Sequence, residues 1–424
     1  MERVGRRVEA DVDTDRCRVE TGREITWVSG IVDETARLQV MEQSGCRHGS
    51  MLPCRATPAR TYCSPIPLFP GSPTELFDGD ETLRSLHLQA DACERLGSRM
   101  YASLFRELAE DYRWGGRTYA LLAGRSDTPV HDALPLRLAG AIHRVVLRGD
   151  EPRLARHYPS VGGRPGPDFP ADFIAYMREH AAEVEAGLAG QVQTNEVGRS
   201  VVPMAVSHWL TSLGVTEFEH LEIGASAGLN LNFDRYYAGV RSLRMGDPES
   251  PLRFGGDWFD GMPAVPRHAA RVVRRRGVDV DPVDVTDPEQ ELRLLSFVWP
   301  DQTDRLDRLR RAVEIARRHP PLVDRGSADA WIVAQLARPR TCATVVFHSI
   351  VWQYLGRPVQ HALRSALGSA GELVSPDAPL VWVRMEPAGP VADVRATVWD
   401  GGEPKEHVLA QVGYHGRNMR WSGD

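Results

Sequence analysis

The chain has 424 residues, of which 42% are hydrophobic and 25% are charged, a composition typical of globular proteins. Its 51 basic and 57 acidic side chains leave a formal charge of -6, too small to indicate a nucleic-acid or membrane surface. No apolar run reaches the roughly 18 residues that cross a bilayer, and the first residues lack the apolar core of a signal peptide. We therefore expect a cytoplasmic protein, and the spacing of its six cysteines predicts no metal site.

The first 190 residues divide into two stretches of different character. Residues 1–78 hold neither a helical nor a strand period, and prolines punctuate their end, so we predict a disordered or loosely ordered extension. Apolar side chains then recur at helical spacing from Asp80 onward, over 136–147 and over 171–188. The sequence therefore predicts a helical region over 79–190, which we expect to act as a cap over the ends of the strands that follow.

Strand and helix patterns alternate over residues 191–424, which predicts an α/β fold. An insertion over 231–273 interrupts the alternation, and the arginine run 274–276 is interpreted as a solvated face. The order favours a mostly parallel sheet with right-handed crossovers, ended by an antiparallel hairpin across Gly401 and Gly402. The predicted strands are 218–223, 278–280, 321–324, 343–348, 380–385, 394–399 and 407–412, and the predicted helices are 201–209, 302–318, 328–337 and 359–370.

The first predicted strand belongs to the run from His220 to Asn230, which breaks into a turn of small residues. Read as Gly224-x-Ser226-x-Gly228, the turn is a nucleophile elbow with Ser226 as the attacking group of a serine hydrolase. Read as an acidic residue followed by small residues, it is the turn of a nucleotide-type cofactor site, where missing side chains let a ligand lie against backbone N–H groups. An elbow needs several strands before it, and helices precede this one, so the chain order favours the cofactor site.

The run 222–228 also resembles motif I of class I S-adenosylmethionine-dependent methyltransferases, with Ser226 in the position of the middle glycine. The resemblance implies a Rossmann-like sheet of the methyltransferase type and S-adenosylmethionine as the cofactor. It also implies that the glycine turn passes close to the amino-acid end of that cofactor.

The same resemblance implies particular contacts with the rest of the cofactor. An acidic residue after the second strand, Asp279 or Asp281, would take the ribose hydroxyls. After the third strand, Ser327 or Asp329 would lie near the adenine. The cofactor-binding residues that it implies are Glu222, Gly224, Ala225, Ser226, Gly228, Asn230, Asp279 and Asp329.

Four segments, 193–199, 221–230, 294–302 and 347–349, carry a second and wider resemblance. Through them, residues from about 80 to the end resemble an uncharacterised bacterial family, domain of unknown function 2332. The family brings no established activity. The resemblance therefore supports the domain boundaries at 79 and 191 more than it supports any chemistry.

A polar segment before the first strand and a histidine after a later one supply the predicted catalytic and substrate contacts. Asn195 and Arg199 precede the helix that leads into the first strand, and we expect them to bind a carboxylate. Glu196 beside them, or His348 at the end of a predicted strand, is the candidate base. The remaining candidates for substrate contact are Tyr236 and Trp352.

These observations predict methyl transfer to a small molecule, because no basic stripe or aromatic ladder indicates a nucleic acid. Direct displacement needs donor and acceptor held in line, and it needs a base only when the acceptor is a hydroxyl or a protonated amine. Two alternatives stay open. One is a serine hydrolase that uses Ser226, and the other is a methyltransferase-like protein that binds a nucleotide-type ligand or a partner protein without catalysis.

Overall fold

The computed structural model describes residues 79–261 and 263–423, so the extension predicted over 1–78 lies outside the described residues. Within these ranges the chain is an α/β protein, in which a run of helices precedes an eight-stranded, mostly parallel sheet. No helix of the described ranges is long and apolar enough to cross a membrane.

The helical region starts at an N-cap, because the Asp80 carboxylate accepts hydrogen bonds from two backbone N–H groups of the first turn. The helix predicted over 171–188 is instead two helices. The chain leaves helical geometry at His180, whose ring stacks on Tyr176 with the ring centroids 4.4 Å apart. The helices of this region are α1 (Glu81–Arg95), α2 (Arg99–Arg113), α3 (Arg117–Leu122), α4 (Leu134–Arg148), α5 (Pro152–Ala155), α6 (Phe169–Glu179) and α7 (Ala181–Gly187).

The strands of the described chain form a large sheet and a small one. They are β1 (Glu217–Ile223), β2 (Tyr237–Val240), β3 (Leu243–Gly246), β4 (Arg253–Phe254), β5 (Arg271–Asp279), β6 (Val323–Arg325), β7 (Ala343–Ser349), β8 (Leu380–Ala388), β9 (Val391–Trp399), β10 (Lys405–Val412) and β11 (Arg420–Trp421). The large sheet has the order β11-β10-β9-β8-β7-β1-β5-β6. Its strands are parallel from β6 to β8, and β9, β10 and β11 continue it with antiparallel pairing, including the hairpin predicted across Gly401.

Helices cover both faces of the parallel strands, and this is why the central strands read as apolar runs. The helices of this second region are α8 (Val201–Trp209), α9 (Pro288–Ser296), α10 (Thr303–Arg318), α11 (Ala328–Leu336) and α12 (Arg357–Gly371). One face of the sheet packs with α8 and α10 and with the small sheet, and the other face packs with α11 and α12.

The arginine run is part of β5, so its interpretation as a solvated face is wrong. Arg274 pairs with Glu219 at 2.8 Å, and Arg275 pairs with Asp234 at 2.6 Å. Arg276 likewise forms an ion pair with a carboxylate, at 2.6 Å. Because carboxylates on neighbouring elements neutralise the run, the second parallel strand is longer than the predicted 278–280.

The predicted insertion over 231–273 contains the small sheet of β2, β3 and β4. Between β1 and this sheet the chain forms a 3₁₀ helix, Leu229–Arg235, rather than an α-helix. Its residues Asn230 and Asn232 are buried. This short 3₁₀ helix therefore connects the glycine turn directly to the small sheet, whose first strand begins at Tyr237.

Candidate functional site

A cleft opens at the carboxyl ends of the parallel strands, beside β1. Because β5 pairs with one edge of β1 and β7 with the other, the strand order reverses at β1, and open α/β sheets bind ligands at such switch points. The cleft encloses about 990 Å³, the space at its mouth included, which leaves room for a small molecule. Its lining residues are Gln193, Thr194, Asn195, Glu196, Arg199, Glu222, Ile223, Gly224, Ser226, Asn230, Val278, Asp279, Val280, Gly326, Ser327, Ala328, Ser349, Ile350, Val351, Tyr354, Leu355, Gly356 and Val359.

The glycine turn after β1 is held in left-handed backbone geometry. The φ angle is 70° at Gly224, 54° at Ser226 and 69° at Gly228, values that glycine adopts without steric cost. A Cβ atom at Gly224 would lie 2.7 Å from a methyl group of Val351, so the missing side chain lets the segment after β7 pack against the turn. The glycines are therefore required by this geometry, while Ser226 adopts a strained conformation.

The first backbone N–H groups of the turn have acceptors within the protein. Those of Gly224 and Ala225 donate to the Val278 carbonyl oxygen at 2.9 and 3.0 Å. The N–H group of Ser226 donates to Asp279 Oδ2 at 2.8 Å. A phosphate cradle depends on free backbone N–H groups. These groups therefore do not form the ligand-facing row that one interpretation of the motif predicts, and the chemistry of the cleft comes mainly from its side chains.

Glu222 is a cleft residue whose pKa is strongly raised. It ends β1 almost fully buried, and its Oε2 atom has no hydrogen-bond partner among the described residues. The pKa of Glu222 rises from 4.5 to about 8, mainly because of burial and also because of the nearby charge of Asp279, while a hydrogen bond with Asn230 acts in the opposite direction. The carboxyl group is therefore poised to ionise when a cation binds beside it.

Asp279 and Asp281 were both candidates for the ribose hydroxyls, and the structure separates them. Asp279 lines the cleft, where it accepts hydrogen bonds from the Ser226 and Asp281 N–H groups. The Asp281 carboxylate lies outside the cleft and forms ion pairs with Arg293 and Arg325 at 2.9 Å each. Asp279 is thus the residue of the two that a ligand in the cleft can reach.

Glu196 lines the cleft but is committed to an ion pair. Its carboxylate lies 2.7 Å from Arg305, and both side chains are mostly buried. Burial by itself would raise the pKa of Glu196, but Arg305, with His415 and other cationic neighbours, lowers it to about 2. A carboxylate that stays ionised to such low pH is a weak base, so this environment argues against the predicted role of Glu196 in proton removal.

Three other predicted residues line the cleft and tie its walls together. Asn195 Oδ1 accepts a hydrogen bond at 3.0 Å from the first N–H group of the 3₁₀ helix that follows the turn. Asn230 Oδ1 accepts one from the Ser200 hydroxyl at 2.7 Å. The Arg199 guanidinium donates to two backbone carbonyl oxygens at 3.0 and 3.3 Å. The polar segment therefore shapes the cleft through these hydrogen bonds, in addition to facing it.

Six predicted site residues do not line the cleft. Tyr236 is fully buried in the core and its hydroxyl donates to a backbone carbonyl oxygen at 2.6 Å, so it has no surface for a substrate. The Asp329 carboxylate accepts a hydrogen bond from Ser327, which lowers the pKa of Asp329, and Ser327 itself reaches the cleft. His348 and Trp352 stack on each other with ring centroids 5.4 Å apart. The six residues are Ala225, Gly228, Tyr236, Asp329, His348 and Trp352.

The apolar wall of the cleft was missed by the sequence interpretation. It comes from the residues after β7 and from the first turn of α12, and the signal that could have found it is the apolar run that continues past His348. Arg305 was also missed, because nothing local links it to Glu196, which precedes it by 109 residues. The residues of the apolar wall are Ile350, Val351, Tyr354, Leu355 and Val359.

The helical region packs beside the cleft. In the described chain, none of the lining residues comes from 79–190. Contact runs through Tyr354, which lines the cleft and is also buried in the hydrophobic core of the helical region, together with Trp299. The apolar faces of the helices pack with one another and with the residues around Trp299, and the role of the region as a cap stays a prediction.

Fold and site together define an α/β protein with a buried, carboxyl-lined cleft at the switch point of a mostly parallel sheet. Among the residues that the structure describes, no three or more His, Cys, Asp or Glu side chains are grouped to hold a metal ion. The chain belongs to the family described as "Uncharacterized protein conserved in bacteria (DUF2332)", which matches residues 84–421. Among curated proteins, none matches the chain.

Proposed function

We propose that this protein binds S-adenosylmethionine in the cleft and directs its methyl group to a small molecule. The observation that carries the proposal is the buried carboxyl group of Glu222, a residue that lines the cleft and whose Oε2 has no hydrogen-bond partner among the described residues. A buried polar atom of this kind is costly unless a ligand satisfies it. S-adenosylmethionine carries an ammonium and a sulfonium charge, so it suits a cleft that holds the carboxyl groups of Glu222 and Asp279.

When bound, S-adenosylmethionine supplies an electrophilic methyl group. The role of the protein is then to orient the two reactants, which accounts for much of the rate of a displacement at carbon. Neither candidate base is placed to remove a proton, since Glu196 is held by Arg305 and His348 lies outside the cleft. We therefore propose an acceptor whose attacking lone pair is free without proton removal by either residue.

Serine hydrolysis is a second candidate because of one feature of Ser226. Its φ angle of 54° and its buried hydroxyl suit a strained strand-to-turn nucleophile. However, that hydroxyl has no hydrogen-bond partner in the described ranges, so no base is in place to activate it. Ser226 is also followed by a short 3₁₀ helix rather than by the α-helix of a nucleophile elbow. These features favour the cofactor site.

Calorimetric titration with S-adenosylmethionine and S-adenosylhomocysteine tests the proposal. We expect micromolar binding to the wild-type protein and binding that is about tenfold to a hundredfold weaker in Glu222→Gln, since a hydrogen bond to a charged group contributes this much. The glutamine is isosteric and suits the buried, mostly protonated environment, so loss of binding in this variant does not follow from unfolding. Glu372→Gln, which changes an exposed carboxylate at the end of α12, is the control and should bind as the wild type does.

The other outcomes distinguish the alternatives. If neither ligand binds the wild type, and a fluorophosphonate labels it but not Ser226→Ala, the protein is a serine hydrolase. If both experiments are negative, the cleft serves a different ligand or a partner protein, and the methyltransferase proposal is abandoned.

A further inference from the structure

The apolar wall of the cleft is formed mainly by residues 349–356, the wall segment, which joins β7 to α12. Val351 of this segment packs against the glycine turn at Gly224. Tyr354 is buried in the hydrophobic core of the helical region. The position of the wall segment therefore sets the width of the cleft and connects it to the helical region.

Ile350 is the strained residue of the wall segment. Its φ angle is 52°, and a β-branched residue in the left-handed region is a genuine outlier. Such a conformation persists only where surrounding interactions hold it. The Ile350 N–H group donates to the Met385 carbonyl oxygen at 2.9 Å, which anchors this residue to β8.

One carboxylate oxygen accepts from the next two backbone N–H groups, and the Gln360 side chain donates to the Trp352 and Leu355 carbonyl oxygens at 2.8 Å each. Glu386, near the end of β8, accepts hydrogen bonds at Oε1 from the Val351 N–H group at 3.1 Å and from the Trp352 N–H group at 3.2 Å. These two groups begin the 3₁₀ turn Trp352–Tyr354, so the carboxylate caps the turn in the way that acidic side chains cap helices. Hydrogen bonds to a charged acceptor are stronger than those between neutral groups.

His348 orients this carboxylate. Its Nδ1 lies 2.7 Å from the same Glu386 oxygen, and a carboxylate can only accept, so Nδ1 carries the proton. The imidazole is fully buried, with Trp352 and Trp382 at ring-centroid distances of 5.4 and 5.9 Å. A ring packed in this way cannot rotate freely, so it fixes the position of the Glu386 oxygen.

We propose that Glu386, oriented by His348, is a positioning group of the cleft. The pair acts through the wall segment and not by touching a ligand, because neither residue lines the cleft. It holds the strained Ile350 turn in place, which keeps Val351 against the glycine turn and preserves the shape into which a ligand fits. This inference rests on the proposed function in treating the cleft as the ligand site, and it gives His348 a role other than the predicted base.

Hydrogen exchange and ligand titration of the full chain test the inference together. In Glu386→Ala the amides of the wall segment should exchange about tenfold faster or more, and S-adenosylhomocysteine should bind about tenfold more weakly, because three hydrogen bonds to a charged acceptor are lost. Glu386→Gln should restore both properties in large part, since its amide oxygen can accept the same three hydrogen bonds. Glu372→Ala, at the far end of α12, is the matched control and should change neither.

His348→Asn tests whether a hydrogen-bond donor at this position is sufficient to orient the Glu386 oxygen. The asparagine Nδ2 can donate where the imidazole Nδ1 does, so we expect exchange and binding within about threefold of the wild type. If Glu386→Ala does not fold, the same measurements are made on Glu386→Asp. This variant keeps the charge, but its shorter side chain holds the carboxylate farther from the wall segment.

Two results would overturn the inference. One is unchanged exchange of the wall segment in the folded Ala or Asp variant, and the other is a Gln variant as impaired as Ala. If the wild type does not bind S-adenosylhomocysteine, the proposed function fails, yet the exchange measurement still decides whether Glu386 holds the wall.

Discussion

At the scale of single residues, Glu222 is a carboxyl group whose ionisation the fold opposes. Its position at the end of β1 removes it from water, and no described residue pairs with its Oε2. Glu196, which lines the same cleft, is also buried but stays ionised beside Arg305. The difference in partners moves the pKa of Glu222 up and that of Glu196 down. Two identical side chains thus have opposite properties within one site.

The raised pKa of Glu222 predicts that the contribution of this residue to stability falls as pH rises, opposite in sign to that of the buried His143 and His220, whose pKa values are lowered. Between pH 4.5 and about 8 the unfolded chain releases this proton while the folded protein retains it, so rising pH favours unfolding by up to about 1.4 kcal/mol per unit. Glu222→Gln should remove this slope and be the more stable protein near pH 8. Urea unfolding of both proteins between about pH 5 and 8 measures it. Equal slopes would contradict the prediction, and Glu196 does not interfere because its own window lies below pH 4.5.

At the scale of elements, the glycine turn and the wall segment fit each other because one of them lacks a side chain. Gly224 combines a φ angle of 70° with a 2.7 Å approach of its missing Cβ to Val351. Two independent requirements, one conformational and one steric, therefore coincide at this residue. The carboxyl end of β1 and the segment after β7 can lie this close only with glycine in the turn.

Gly224→Ala should destabilise the protein by about 1–3 kcal/mol and displace the wall segment, since strain and overpacking add at this site. Gly368→Ala is the matched control. It lies inside α12, where a Cβ would meet no atom within 4 Å, so it should be neutral or stabilising by up to about 1 kcal/mol. Thermal unfolding of the two variants measures both changes in stability. Equal changes would show that the close approach to Val351 does not affect stability.

At the scale of the whole molecule, the helical region and the sheet share side chains. Trp299 and Tyr354 come from the sheet part of the chain but are buried in the core of the helical region. Asp301 accepts a hydrogen bond from Ser98 at 2.6 Å, so a residue of the sheet part also stabilises the start of α2. These contacts predict that the two regions unfold together.

Trp299→Ala should cost about 3–5 kcal/mol, since it removes a large side chain from a packed core. Trp114→Ala, which changes a tryptophan that is 67% exposed, should stay within about 0.5 kcal/mol of the wild type. Urea unfolding followed by far-UV circular dichroism and by fluorescence provides the measurement. Coincident transitions in the wild type are expected, and a separate first transition of the helices would contradict the shared core.

Local sequence patterns were sufficient to predict many of the helices and strands. The apolar run of β1 and the glycines of the β9–β10 hairpin signal their structures within a few residues, and both predictions are confirmed. The length of β5 was not predictable in this way. Its arginines suit a strand only because carboxylates on β1, β6 and the 3₁₀ helix lie beside them in the fold.

The sequence by itself determined the α/β class, the order of helices before strands and the turn after β1, because periodicity and glycine geometry are properties of neighbouring residues. Only the tertiary structure decided which polar residues face the cleft. It pairs Glu196 with Arg305, leaves Glu222 without a partner in the described chain, and places His348 behind the wall with Glu386. Burial and pairing of charges arise from contacts between distant residues, and these set the pKa of each group and what it can bind.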